Sequence, residues 1–166
     1  EVADKSLCDA FAHIDAARKE CDISLTFFEF GTLAAMHVFI QARVDVVILE
    51  VGLGGRLDAV NIFDADCAIV TSIDLDHMDY LGDTREKIGF EKVAIFRKGK
   101  PAICAEADIP DSVYQQIETS GAQFFRLTQE FGFSNKGMQW DYWGPKGGRH
   151  SLPFPALRGT KQLQNA

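Results

Sequence analysis

Cysteine is scarce and scattered in this chain. The four residues Cys8, Cys21, Cys67 and Cys104 form no Cys-x-x-Cys pair, so neither a structural zinc site nor a disulfide framework is indicated. Free thiols in a reducing cytoplasm are the simple reading, and cytoplasmic localisation is expected. No apolar run is long enough to span a bilayer and no basic-then-apolar leader opens the chain, so no membrane residence is expected. Basic residues are in deficit: 17 Lys and Arg against 24 Asp and Glu leave a formal charge of −7. With no basic stripe interleaved by aromatics, a nucleic-acid partner is excluded. An acidic chain that handles anions needs metal ions or a few well-placed cations. An initiating methionine is missing too, because Glu1 comes first; the chain reads as a processed product or a piece of something longer, and the motifs below favour the piece. Its 166 residues suffice for one domain with a real core and are few for two.

What is present alternates in period. Leu7, Ala10, Phe11, Ile14 and Ala17 recur at helical spacing, predicting an amphipathic helix over roughly the first twenty residues. Thr26-Phe-Phe-Glu29 fits a capping box and predicts a helix running to about Ala42. Residues 44–50 and 67–73 are apolar runs that end on acids, and read as buried parallel strands. Asp83-Thr-Arg-Glu86 repeats the cap pattern before a helix carrying Ile88, Val93, Ile95 and Phe96. A strand at 101–105, a helix at 110–119 closed by Gly121, and a strand at 122–127 follow. The fold class expected is α/β: a mostly parallel Rossmann-like sheet flanked by helices. From 131 to 157, Gly, Trp140, Tyr142, Trp143 and prolines predict a short antiparallel extension. Residues 160–166 read as the first turn of a further helix. There is no internal repeat.

Chemistry concentrates at the predicted strand ends. In Val46-Val-Ile-Leu-Glu-Val-Gly-Leu-Gly-Gly-Arg-Leu-Asp58 an apolar run ends on Glu50 and breaks into a glycine loop, at the edge where open α/β sheets place ligands. A carboxylate there is costly unless compensated; Glu50 is either a functional group or the cap of a neighbouring loop. The second strand is followed by Asp74-Leu-Asp-His77-Met-Asp, where flanking acids could orient the His77 imidazole. A solvated loop is the plainer reading of His77 taken alone. Paired with Glu50, it points to a divalent-cation site. Lys92 lies in the apolar Phe90-Glu-Lys-Val-Ala-Ile-Phe96. Desolvation would favour a neutral, nucleophilic amine able to take up carbon dioxide. The alternative is an ammonium that reaches water or pairs with Glu91 or Glu86.

Four ordered motifs give these residues a context. Leu25-Thr-Phe-Phe-Glu-Phe-Gly-Thr-Leu-Ala-Ala35, the stretch from Val46 to Asn61, Asp76-His-Met-Asp-Tyr-Leu-Gly82 and Glu91-Lys-Val-Ala-Ile-Phe96 together resemble the bacterial bifunctional dihydrofolate synthase/folylpolyglutamate synthase family of the Mur-ligase superfamily. The resemblance is close from about Leu25 to Ala105 and looser beyond. It implies that Glu50 and His77 each bind a magnesium ion, at two sites in the intact enzyme, and that Lys92 is carbamylated. It implies a pteroate pocket at Thr26, Phe27, Phe28, Glu29, Leu57, Asp58 and Ala59. In that pocket Phe28 could stack on a flat ring and Asp58 could accept from its amino groups, with ordinary core packing the competing reading of Phe27. It also implies that Asn165 approaches the adenine of ATP, although Lys161 stands where many relatives carry histidine.

The implied activity is ATP-dependent amide ligation, joining L-glutamate to dihydropteroate and then to folates, by an enzyme expected to be a monomer when intact. The family's Gly-Thr-x-Gly-Lys-[Gly]-[Ser/Thr] phosphate loop does not occur in this sequence, and Gly52-Leu-Gly-Gly55 lacks the Lys-Ser/Thr that would replace it. The expectation is therefore part of the central ATP-binding ligase domain, 1–166, without the phosphate-loop segment or the C-terminal domain. Two competing readings are a folded module without catalysis and a Mur-type ligase with a different carboxylate acceptor.

Overall fold

The computed structural model describes residues 2–157, 159 and 161–165. They form two compact units, one from residues 1–53 and 57–63 and the other from 54–56 and 64–166.

The first unit is a pair of packed helices, α1 (Asp4–Glu20) and α2 (Phe27–Ala42), followed by a 3₁₀ turn (Ala59–Ile62) that packs on α2. Ala10 and Ala34 are its fully buried residues. Helix α1 starts without a side-chain cap, but Asp4 in its first turn and Arg18 and Lys19 in its last oppose the helix dipole correctly. Helix α2 begins on the expected capping box and ends at Arg43 in the left-handed conformation.

Residues 44–50 are not a strand, contrary to expectation. An apolar run becomes a strand only where a neighbour supplies ladder hydrogen bonds, and none does so among the described residues. Val46 and Ile48 are left 75% and 91% exposed. Glu50 therefore lies in an irregular exposed segment rather than at a strand tip.

The second unit holds the core. Strands β1 (Ala68–Val70), β2 (Pro101–Cys104) and β3 (Gln123–Arg126) form a parallel sheet in that order, with Val70 opposite Cys104 and Cys104 opposite Arg126. Helices α3 (Met78–Leu81) and α4 (Arg85–Val93) connect β1 to β2, and α5 (Asp111–Ser120) connects β2 to β3. Ala68, Val70, Ile73, Val93, Phe96, Ala102, Cys104, Val113 and Ile117 close the core between sheet and helices. Strand β1 is shorter than predicted because the Ile73 amide donates to the Glu106 carboxylate (3.2 Å) rather than to a neighbouring strand. Helix α4 stops at Val93, so Ile95 and Phe96 lie beyond it. Helix α3 is too short to show a period in the sequence.

The antiparallel extension is present: β4 (Gly132–Asn135), β5 (Trp140–Gly144) and β6 (Gly147–Leu152), in that order. Pro145 and Lys146 make the β5–β6 turn, and Gly147 supplies the positive φ of 103° that follows it. Trp140 is buried and its indole donates to the Pro153 carbonyl (2.9 Å). Helix α6 (Gln162–Asn165) matches the further helix expected at 160–166, of which Thr160 and Ala166 lie outside the described residues.

Candidate functional site

In the first unit, the start of α2 and the loop before the 3₁₀ turn are brought together. The Glu29 carboxylate accepts from the Thr26 amide (2.7 Å) and hydroxyl (2.8 Å), while the Thr26 hydroxyl accepts from the Glu29 amide (3.3 Å). The Thr26 amide, and then its hydroxyl, hold the Glu29 carboxyl below its usual range. Phe28 borders Gly52, whose added Cβ would lie 3.6 Å from the ring. Phe27 is 95% exposed, which removes core packing as its explanation within this unit. One Asp58 oxygen accepts from the amides of Gly52 (2.9 Å) and Leu53 (3.0 Å), and the other from Val60 (3.0 Å), capping the 3₁₀ turn. Asp58 thus organises the loop with both oxygens. Leu57 is exposed and Ala59 half-buried.

The second unit carries His77 and Lys92. His77 precedes α3 with φ 50°, ψ 41°, and its amide is held by an Asp76 oxygen (2.8 Å). Asp76 stands 3.7 Å from the imidazole Nε2, beyond hydrogen-bond range. The expected orientation of the ring by its flanking acids is therefore not made, and the ring remains largely exposed. Lys92 is half-buried in the last turn of α4, and α3 packs on α4. Residues 54–56 dock against this same turn: the Arg56 amide donates to the Glu91 carbonyl (3.0 Å), and the Arg56 guanidinium pairs with the Glu91 carboxylate (3.0 Å). A Cβ on Gly55 would lie 2.7 Å from the Glu91 carbonyl; glycine is required here for close backbone approach, not for cradling phosphate. Glu91, offered above as an ion-pair partner for Lys92, is thereby engaged by Arg56.

Sequence reasoning missed Arg85. Its Nε donates to the Ile73 carbonyl (2.9 Å), one Nη pairs with the Asp108 carboxylate (2.8 Å), and the other donates to the Asp108 carbonyl. With Glu106 accepting from the Ile73 amide, both backbone groups of Ile73 are held just before the loop that carries His77. The bond to Asp108 raises the Arg85 pKa above its ordinary value, so the guanidinium stays charged. No local pattern marked this residue, because its partners are 12 and 23 positions away.

Asn165 borders a cavity of about 450 Å³, lined by Ile69 and Ile103 of the parallel sheet, Trp140 and Tyr142 of the antiparallel one, and Leu163 and Gln164 of α6. The Gln164 amide donates to the Ala105 carbonyl (2.6 Å), tying α6 to the end of β2. Glu50 belongs to the first unit and His77 and Lys92 to the second. Among the described residues no three or more His, Cys, Asp or Glu side chains cluster as a metal site, and no helix is long and apolar enough to cross a membrane.

Residues 15–152, from α1 through both sheets, match the Mur ligase middle domain. The chain belongs to that family. This Mur ligase middle domain is 49% identical over 157 residues to the dihydrofolate synthase/folylpolyglutamate synthase of Escherichia coli K12, covering 95% of the chain and 37% of that relative. It superposes on E. coli FolC, solved in complex with DHPP and ADP, with a TM-score of 0.91 at 46% identity, covering 99% of this chain and 39% of that one. The Yersinia pestis bifunctional folylpolyglutamate synthase/dihydrofolate synthase, solved with AMPPNP and Mn ion, matches with a TM-score of 0.87 at 46% identity, covering 99% and 39%. The chain thus spans well under half the length of the relatives it matches. In this Mur ligase domain the four sequence motifs occupy the start of α2, the loop before the 3₁₀ turn, the entry to α3 and the last turn of α4.

Proposed function

We propose that this chain is part of the central domain of an ATP-dependent amide ligase that joins L-glutamate to dihydropteroate and to folates. The observation that carries the reading is its 49% identity, over 157 residues, to a dihydrofolate synthase/folylpolyglutamate synthase. A carboxylate is a poor electrophile, so its oxygen first attacks the γ-phosphorus of ATP, giving an acyl phosphate and ADP. The glutamate amine then attacks the acyl carbon, the amide forms, and phosphate leaves with the bonding pair of the broken C–O bond.

The residues fit a hard divalent cation by donor chemistry: a carboxylate from Glu50, an imidazole from His77, and a carbamate oxygen from Lys92 once its Nζ has added to carbon dioxide and released a proton. Both Glu50 and His77 are exposed to receive it. Magnesium held by these residues, at two sites in the intact enzyme, would neutralise charge developing on phosphoryl oxygens. Thr26, Phe27, Phe28, Glu29, Leu57, Asp58 and Ala59 bind the pteroate, with the exposed Phe27 and Phe28 rings offering flat apolar surface. Because Asp58 already accepts three backbone amides, its main part is to shape the loop. Asn165, on the cavity wall, contacts adenine. The intact enzyme is read as a cytoplasmic monomer.

The test is turnover by the intact parent enzyme: dihydropteroate-dependent ADP release with L-glutamate, abolished by Glu50→Ala or His77→Ala. Full turnover by either variant would overturn the metal assignment. A panel of other carboxylate acceptors turned over in preference to dihydropteroate would overturn the substrate assignment.

A further inference from the structure

The loop that carries His77 is closed at its base by one side chain. Residues 74–84 leave the sheet after Ile73, which is 1% exposed, and rejoin the core at Arg85, the first residue of α4. The Arg85 Nε donates back to the Ile73 carbonyl (2.9 Å), so the residues that bracket the loop are bonded to each other. Compact loops whose ends meet in this way are packed units rather than loose tethers, and are frequently functional. Within the loop, Asp74 accepts from the Leu75 amide (2.8 Å) and Asp76 from the His77 amide (2.8 Å), and His77 takes a left-handed φ of 50° at the start of α3. At the far end the Thr84 hydroxyl accepts from the Lys87 amide (3.3 Å), capping α4.

The same guanidinium reaches the exit of the next strand. Beyond β2, one Nη donates to the Asp108 carboxylate (2.8 Å) and the other to the Asp108 carbonyl. Glu106, 3.8 Å from that second Nη, accepts from the amides of Ile73 (3.2 Å) and Asp108 (3.2 Å). Arg85 thus uses three nitrogens on two backbone carbonyls and a carboxylate, in a planar fork that lysine cannot reproduce. An exposed ion pair by itself adds little stability. What these bonds fix is the backbone path at the exits of two adjacent parallel strands, on the edge where α/β sheets place ligands.

We propose that Arg85 is a positioning residue for metal binding: by closing the base of the 74–84 loop and latching it to the β2 exit, it holds His77 ready for the divalent cation. This role rests on His77 being a magnesium ligand, as proposed above. A slack loop would have to be ordered when the ion binds, and the closed base removes that cost beforehand.

In the intact parent enzyme without substrates, Mn²⁺ binding is followed by loss of the free-ion electron paramagnetic resonance signal. Arg85→Met keeps the apolar stem, and Arg85→Lys keeps the charge without the fork. Each should weaken Mn²⁺ binding roughly tenfold, raise the Mg²⁺ concentration for half-maximal turnover by a similar factor, and leave KM for dihydropteroate unchanged. Amide exchange at Leu75 and His77 should quicken in both variants before any metal is added. An Arg85 that served stability alone would lower the folded fraction, and with it kcat, at an unchanged Mg²⁺ half-saturation. That result, or wild-type Mn²⁺ affinity in either variant, overturns the proposal. His77→Ala separates the two levels: Mn²⁺ affinity unmoved by that substitution overturns the magnesium reading itself, whereas affinity lost in His77→Ala but kept in the Arg85 variants overturns only the positioning role.

Discussion

Gly89, in the middle of α4, separates two opposing effects, and the structure decides between them. Replacing a helical glycine by alanine stabilises by about 0.5–1 kcal/mol through backbone entropy. Here, however, the new Cβ would lie 2.5 Å from Val113 Cγ2, 3.2 Å from Cγ1 and 3.4 Å from Ile73 Cγ2, where carbon atoms prefer roughly 3.5–4.0 Å. Val113 is 1% exposed, on α5, and stiff at χ1, and Ile73 is also 1% exposed. Neither can swing aside, so α4 must move about 1 Å, at an overpacking cost of about 1–3 kcal/mol. The net expectation for Gly89→Ala is a loss of about 1–2 kcal/mol, or a fall of about 3–6 °C in Tm. Urea unfolding followed by far-UV circular dichroism measures it. Val113→Ala alone should cost about 2 kcal/mol by cavity formation, yet the double variant should be about 1–2 kcal/mol more stable than the two losses added, because the new methyl enters the vacated space. Gly89→Ala as stable as the wild type, or additive to within about 0.5 kcal/mol, would refute the packing argument. Lys92 lies one turn further along α4, so the same displacement would move it.

Asp58→Ala should cost about 2 kcal/mol by releasing three charge-assisted amide bonds, with faster hydrogen exchange at Gly52, Leu53 and Val60; unchanged exchange there would reject its organising part. Because the Glu29 pKa is lowered in the folded state, its contribution is present above the ordinary carboxyl range of about 4.3 and lost as pH falls through the folded value. Carbon-13 titration of Glu29 should show a midpoint below the ordinary value that returns upward in Thr26→Ala, a variant that also loses about 1 kcal/mol of capping; a midpoint unmoved by the substitution would contradict the box. Arg85→Met should accelerate exchange at Ile73 and destabilise by roughly 1–2 kcal/mol, the side chain being one-third exposed; no change at Ile73 would remove the clamp.

Near-neighbour chemistry was readable without coordinates. The capping box of α2, the span of α1, the closure of α5 by Gly121 at φ 69°, strand β2, and the turn-rich antiparallel extension depend on residues a few positions apart, as did the motifs that carry the family likeness. Tertiary structure decided whatever needs a distant partner. Residues 44–50 have strand composition but no ladder neighbour among the described residues, so composition alone misassigned them. The docking of Gly55 on α4 and the grip of Arg85 on Ile73 join positions 36 and 12 residues apart. Caps and periodicity act through bonds that the local backbone already brings within reach. Ladders and clamps form only where packing brings separate segments into contact, and that is a property of the whole fold.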